Sequence, residues 1–215
     1  MSEALHRHTI VKPSKAGWTA ILAQRPELAE QPIIESWARA GNPLVVRRRS
    51  CGDLAGMIPL GLSLPPVYGK QRIAVALASS EIIERAPPPL LADAAATAPS
   101  AWHGTIDRLL RLLPQTRTFG SLAWQHLTGL PYLSDGSDLD LLWPLSSARE
   151  TNALLSAIAE IARHAPMRLD GEIVGAAGGV QWRELIAADA NDVLVKGPVA
   201  VQTISRTAFL SGAVP

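Results

Sequence analysis

Phe119-Gly120-Ser121 and, further on, Ser134-Asp135-Gly136-Ser137-Asp138-Leu139-Asp140-Leu141-Leu142-Trp143 are the most informative residues of the chain. Successive side chains of a strand point to opposite faces. With 138–143 read as a strand, Asp138 and Asp140 share one face, and Leu139 and Leu141 take the other, toward the core. Two adjacent carboxylates repel when both are ionised. A divalent cation removes that repulsion, and Mg²⁺ prefers carboxylate and phosphate oxygens. Upstream, Thr116 to Phe119 reads as a short strand that runs into Gly120-Ser121 and then into a helix over 121–128. Glycine lets the backbone approach a phosphate, and a helix start offers free N–H groups at the positive end of the dipole. Ser121 adds a hydroxyl donor. The pieces suit a metal-bound polyphosphate, with amides at one end and the carboxylate pair on the metal. The plainer alternatives are a solvated Asp-Gly turn for the aspartates and an ordinary helix cap for Gly120-Ser121. The apolar run Leu139, Leu141, Leu142 and Trp143 favours the strand.

Around this stretch the C-terminal part alternates helices and strands. Residues 104–113 form a helix with Ile106, Leu109, Leu110 and Leu113 on one face. Residues 147–164 form a long helix with Leu154, Leu155, Ile158 and Ile161 inward. Strands are expected at 166–174, 192–196 and 199–204, with a helical turn near Trp182 to Ala188. The N-terminal part reads as a helix over 31–40 with a C-cap at Gly41-Asn42, then strands at Pro43–Arg47, 56–64 and 71–78 in a small antiparallel sheet. Residues 86–100 are rich in Pro and Ala, and three consecutive prolines neither continue a helix nor donate to a sheet. The fold class is α+β: an N-terminal mixed α/β domain over 1–85, a linker over 86–103, and a domain with a mixed sheet over 104–215.

Composition narrows the function. The chain has 215 residues, is 47% hydrophobic and carries a formal net charge of +1. It can bury a sizeable core, and nothing points to a general nucleic-acid coat. Cys51 is the single cysteine, so a disulfide framework is excluded; it is expected to be buried as a small apolar residue. No stretch of ~20 apolar residues spans a membrane, and the polar, acidic start lacks the apolar core of a signal peptide. A cytoplasmic location follows as the expectation. Residues 1–100 hold 11 Lys and Arg against 8 Asp and Glu, and the remainder 9 against 11.

The Gly-Ser turn followed by Asp-x-Asp resembles the active-site motif of the DNA-polymerase-β nucleotidyltransferase superfamily. More of the chain resembles one bacterial family within it. The matching segments are Asn42-Pro43-Leu44-Val45-Val46-Arg47-Arg48, Ile58 to Pro66 and Gly69-Lys70-Gln71-Arg72-Ile73. Further matches are Asp170-Gly171-Glu172, Trp182-Arg183-Glu184 and Val193-Leu194-Val195-Lys196. That family is malonate decarboxylase holo-acyl-carrier-protein synthase, the phosphoribosyl-dephospho-CoA transferase called MdcG. The superfamily takes a third carboxylate from a later strand. Asp170 is favoured here, and Glu172, of the same face parity, stays open. The catalytic and metal-holding residues implied are Asp138, Asp140 and Asp170, with two Mg²⁺ ions.

The resemblance implies a donor, 2′-(5″-triphosphoribosyl)-3′-dephospho-CoA, and an acceptor, a serine of the acyl-carrier (delta) subunit of malonate decarboxylase. The serine oxygen attacks the α-phosphate and pyrophosphate leaves. Gly120, Ser121, Arg47, Lys70, Arg72, Arg183 and Lys196 are the candidate substrate-binding residues. The basic N-terminal half suits the donor's phosphates or an acidic carrier. Neither nucleic acid nor membrane is an expected partner. Two other readings compete: a nucleotidyltransferase that moves AMP or UMP, and a non-enzymatic adaptor that binds the carrier protein.

Overall fold

The computed structural model describes residues 5–187 and 191–212. They divide into two compact units. One is the chain through Pro88 together with Leu127–Pro131, and the other is Pro89–His126 with Tyr132 onward.

The first unit runs β1 (Ile10–Pro13), α1 (Lys15–Gln24), α2 (Pro32–Arg39), β2 (Leu44–Val46), β3 (Ile58–Ser63), β4 (Arg72–Leu77) and β5 (Ile82–Ala86). Its five strands form one sheet in the order β4-β3-β2-β1-β5, with every pairing antiparallel. In β4 the alternation is plain, with Ile73, Val75 and Leu77 buried between exposed or half-buried neighbours. Pro32 opens α2, where a missing N–H costs no bond. Ile34 and Trp37 on its inner face are fully buried. The three expected strands are β2, β3 and β4. β1, α1 and β5 lie outside the elements that the sequence predicts. β5 exposes Ile83, Glu84 and Arg85, so it lacks the buried face that betrays a strand. Main-chain pairing with β1 holds it, with an irregularity at Lys12/Pro13 where proline has no N–H to give.

The second unit opens with α3 (Leu91–Ala94), α4 (His103–Leu112), β6 (Arg117–Thr118), α5 (Gly120–Thr128), β7 (Leu139–Pro144) and α6 (Ala148–Arg163). It continues with β8 (Leu169–Gly175), β9 (Gly178–Gln181), α7 (Trp182–Ile186), β10 (Asp192–Lys196), β11 (Val201–Ser205) and α8 (Arg206–Leu210). The sheet order is β11-β10-β9-β8-β7-β6. β7 and β8 are parallel, and the remaining pairs are antiparallel. The parallel pair follows from α6, which crosses between them. Ser147 caps α6 in a capping box with Glu150. Leu155, Ile158 and Ile161 of α6 pack into one core with Leu139, Leu141 and Trp143 of β7 and Leu169 and Ile173 of β8. The expected helical turn is α7; Ala188 lies outside the described residues.

Two expectations need correction. The stretch 86–103 does not stand apart as a spacer beyond Pro88. Leu91, Ala94, Ala98 and Trp102 are buried in the second unit's core. The extended Pro-Pro-Leu backbone pairs with the chain around β6: Leu91 N–H donates to Thr116 O (2.8 Å) and Thr118 N–H to Pro89 O (3.0 Å). Pro89 fits there because its carbonyl accepts and no N–H is asked of it. Cys51 is exposed rather than buried. It lies in the loop between β2 and β3, which polar contacts organise. All six tryptophans, by contrast, are buried, and Trp124 stacks on Tyr132 with ring centroids 6.1 Å apart.

Candidate active site

β6 delivers the chain to Gly120 beside the start of β7. The Asp140 carbonyl accepts from Phe119 N–H (3.1 Å) and from the Thr118 hydroxyl (2.9 Å). Thr118 is fully buried, so this clamp is shielded from water. Gly120 has φ +63°, and a Cβ there would lie 1.8 Å from Asp140 Oδ2. The Asp140 carboxylate therefore sits directly on the Gly120 backbone, and no side chain fits between them. α5 begins at this point, with Ser121 in its first turn.

β7 and β8 then set Asp140 opposite Asp170 in the parallel register. Leu139 N–H donates to Arg168 O (2.9 Å), which ties the entry of the two strands together. Oδ1 of Asp170 accepts from Gly171 N–H (2.8 Å) and from the Gln181 amide (2.7 Å). Gln181 in turn accepts from Arg183 N–H. Oδ2 of Asp170 faces the Arg168 guanidinium at 4.0 Å, and the same group lies 3.9 Å from Asp138 Oδ2. The structure thus brings Gly120, Asp138, Asp140 and Asp170 to adjoining strand ends of one sheet. Arg168 and Gln181 escaped the sequence reading. Arg168 shares face parity with Asp170 and could have been found from that. Gln181 becomes visible only through the β8–β9 pairing.

Glu172, the other acid of β8, is in a different environment. It is 4% exposed, and Lys196 Nζ donates to its Oε1 at 2.9 Å. The pair closes over β9, where a Cβ on Gly179 would lie 2.3 Å from Glu172 Oε2. Lys196 thus points at a buried carboxylate. Arg183 lies over the Trp182 ring, 4.4 Å from its centroid, and donates to Leu169 O at 3.3 Å.

The remaining candidates belong to the first unit. Arg47 is a loop clamp. Its guanidinium donates to both oxygens of Asp53, to Leu60 O (3.1 Å) and to Arg48 O (3.1 Å). Its hydrogen bonds hold the Asp53 carboxyl well below the usual carboxylate range. Arg49 donates to Leu54 O and Met57 O in the same loop. Lys70, at φ +54°, and Arg72 are exposed at the turn into β4.

The donor set of Asp138, Asp140 and Asp170 is made only of carboxylate oxygens, the kind a hard divalent cation takes. As the side chains stand, no three His, Cys, Asp or Glu among the described residues converge on a metal position. A cationic group nonetheless already lies between two of these acids, namely the guanidinium of Arg168. The acids therefore fit Mg²⁺ in charge and kind, with Arg168 holding part of that ground.

Comparison with known proteins bears on both units. Residues 6–88 match the family model of the phosphoribosyl-dephospho-CoA transferase MdcG N-terminal domain, and residues 90–207 match that of its C-terminal domain. The chain is 41% identical over 212 residues to a phosphoribosyl-dephospho-CoA transferase of Bradyrhizobium diazoefficiens, covering 96% of this chain and 93% of the relative. It is 38% identical over 184 residues to one of Xanthomonas campestris pv. campestris, covering 83% and 86%. It is 30% identical over 207 residues to one of Pseudomonas putida, covering 90% and 93%. No solved structure matches. No helix among the described residues is long and apolar enough to cross a membrane. With the two family models together spanning nearly the whole chain, the protein belongs to the phosphoribosyl-dephospho-CoA transferase family, MdcG.

Proposed function

We propose that this transferase moves the 5″-phosphoribosyl-3′-dephospho-CoA group from 2′-(5″-triphosphoribosyl)-3′-dephospho-CoA to a serine of the acyl-carrier subunit of malonate decarboxylase, releasing pyrophosphate. One observation carries the reading. The Asp140 carboxylate packs on the Gly120 backbone at a helix start, while Asp170 stands opposite it on the parallel neighbour. That arrangement joins amides for a polyphosphate to carboxylates for its counter-cation on one sheet edge.

Asp138, Asp140 and Asp170 are the residues that would hold Mg²⁺. Bound there, Mg²⁺ would supply charge neutralisation for the phosphate oxygens and would make the attacking hydroxyl more acidic. Gly120 and Ser121 bind and orient the triphosphate through main-chain N–H groups and the hydroxyl. Gln181 and Gly171 hold Asp170 in one orientation through Oδ1 and leave Oδ2 outward. In the transfer, the seryl oxygen bonds to the α-phosphorus and its proton leaves to solvent. The bond from the α-phosphorus to the bridging oxygen breaks, and its electrons depart with pyrophosphate. Glu172 is left out of this set, because Lys196 already neutralises it in the sheet. Lys70 and Arg72 are the first unit's candidates for contact with donor or carrier.

The test is pyrophosphate release on mixing protein, donor, Mg²⁺ and apo carrier subunit. Asp138→Ala and Asp140→Ala are expected to lower the rate by at least ~10³-fold with unchanged thermal unfolding, since electrostatic stabilisation of that size resides in such groups. Near-normal release by either folded variant would remove the metal-carboxylate assignment.

A further inference from the structure

The strand ends of the second unit present their chemistry in a fixed order. Gly120 follows β6, Asp138 and Asp140 belong to the β7 end, and Arg168 and Asp170 to the β8 end. Gln181 ends β9, and Arg183 lies in α7 directly after it. The amides suited to polyphosphate are therefore at the β6 side of the acids, and two arginines are at the β8–β9 side. We infer that Arg168 and Arg183 form the acceptor side of the site, where they bind carboxylates flanking the acceptor serine of an acidic carrier protein. The inference rests on the transferase reading above and gives its partner a docking place.

Each arginine is built differently for that task. Arg183 is exposed yet pre-positioned: its guanidinium lies 4.4 Å from the centroid of the Trp182 ring and is tied to Leu169 O. Trp182 is 1% exposed, so the platform under it is rigid. A side chain already ordered before binding loses little entropy when a carboxylate arrives. Oε2 of its neighbour Glu184 accepts from Leu194 N–H (3.0 Å).

Arg168 is rooted but loosely held. Its carbonyl accepts from Leu139 N–H, while its side chain is 60% exposed. The contacts to Asp138 and Asp170 at 3.9 and 4.0 Å are longer than a charge-assisted hydrogen bond of about 2.8 Å. Exposed pairs of that kind hold weakly. A carboxylate presented in fork geometry takes the guanidinium away from them. Oδ2 of both aspartates is then released toward the polyphosphate's counter-cation. Cations at such a rim govern encounter rate and partner choice, so a neutral or basic acceptor segment is disfavoured.

The test compares Arg168→Glu and Arg183→Glu with the unaltered protein. Binding of the apo carrier subunit and of the triphosphoribosyl donor is measured separately by calorimetry, with KM for each taken from pyrophosphate release. Each charge reversal is expected to weaken carrier binding about tenfold, and Arg183→Glu, which is not in contact with the acids, to leave donor affinity within about twofold. A carrier whose acidic residue beside the serine is replaced by Lys is expected to recover affinity for the Glu variants. Arg168→Glu keeps the carrier-binding arm open if Arg183→Glu disturbs Trp182, because the Arg168 side chain is mostly in solvent, and Arg183→Gln, which removes the charge without reversing it, then serves the donor arm. Unchanged carrier affinity in Arg168→Glu would overturn the inference, as would a donor affinity in Arg183→Glu that falls as far as the carrier's. If the unaltered protein neither binds nor modifies the carrier, the transferase reading itself fails, and the docking surface with it.

Discussion

Gly120 is the residue where geometry constrains chemistry most tightly. A side chain there meets two obstacles, a φ of +63° and the Asp140 carboxylate, which a Cβ would overlap. Gly120→Ala is expected to destabilise the protein by about 1–3 kcal/mol and to abolish transfer by displacing Asp140. Circular-dichroism melting together with a transfer assay checks both. Asp53 makes a prediction of a different kind. Arg47 depresses its carboxyl in the folded state, so the unfolded chain binds the proton more readily. The stabilisation is complete above the ordinary Asp value of about 3.9 and is lost as pH falls through the depressed folded one. Asp53→Asn should cost about 1 kcal/mol at pH 7. The gap to the unaltered protein should narrow on acidification below about pH 4. A gap that stays constant down to pH 2.5 would refute the assignment.

At the scale of elements, the Glu172–Lys196 pair, buried at Glu172 and 34% exposed at the Lys196 side chain, joins β8 to β10 across β9. Removing Lys196 takes away the ammonium that donates to the buried Glu172 carboxylate. Lys196→Met is expected to cost about 1–3 kcal/mol, and the double variant with Glu172→Leu should recover much of it. Parallel melts of the single and double variants decide this. A Lys196 that instead served the donor's phosphates would raise donor KM without moving the melting point. β7 and α6 were legible in the sequence because their apolar residues follow clean periods of strand and helix, and Ser147 marks the α6 start. The Asp138/Asp140 pair was legible for the same reason, since its leucines face the core. β9 was hidden because Gly178-Gly179 carries no side-chain pattern, and β5 because its side chains mostly face solvent. The choice between Asp170 and Glu172 could not be read from parity. It depends on strand pairing, which sets one opposite Asp140 and the other beside Lys196. The Pro/Ala stretch misled because composition alone does not reveal that Leu91 and Ala94 are buried in the second unit's core.

At the scale of the whole molecule, two units share one chain, with acids, amides and arginines gathered on one edge of the second unit's sheet. The proposed reaction is the transfer, at this edge, of a phosphoribosyl-dephospho-CoA group onto a carrier serine. Intact mass spectrometry tests it directly. The apo carrier subunit is incubated with this protein, Mg²⁺ and the triphosphoribosyl-dephospho-CoA donor, with parallel tubes containing EDTA or ATP in place of the donor. The expected result is a mass gain equal to the phosphoribosyl-dephospho-CoA group, absent with EDTA and absent with ATP. A nucleotide-sized gain from ATP, or no gain from the triphosphoribosyl donor with carrier and protein both folded, would contradict it.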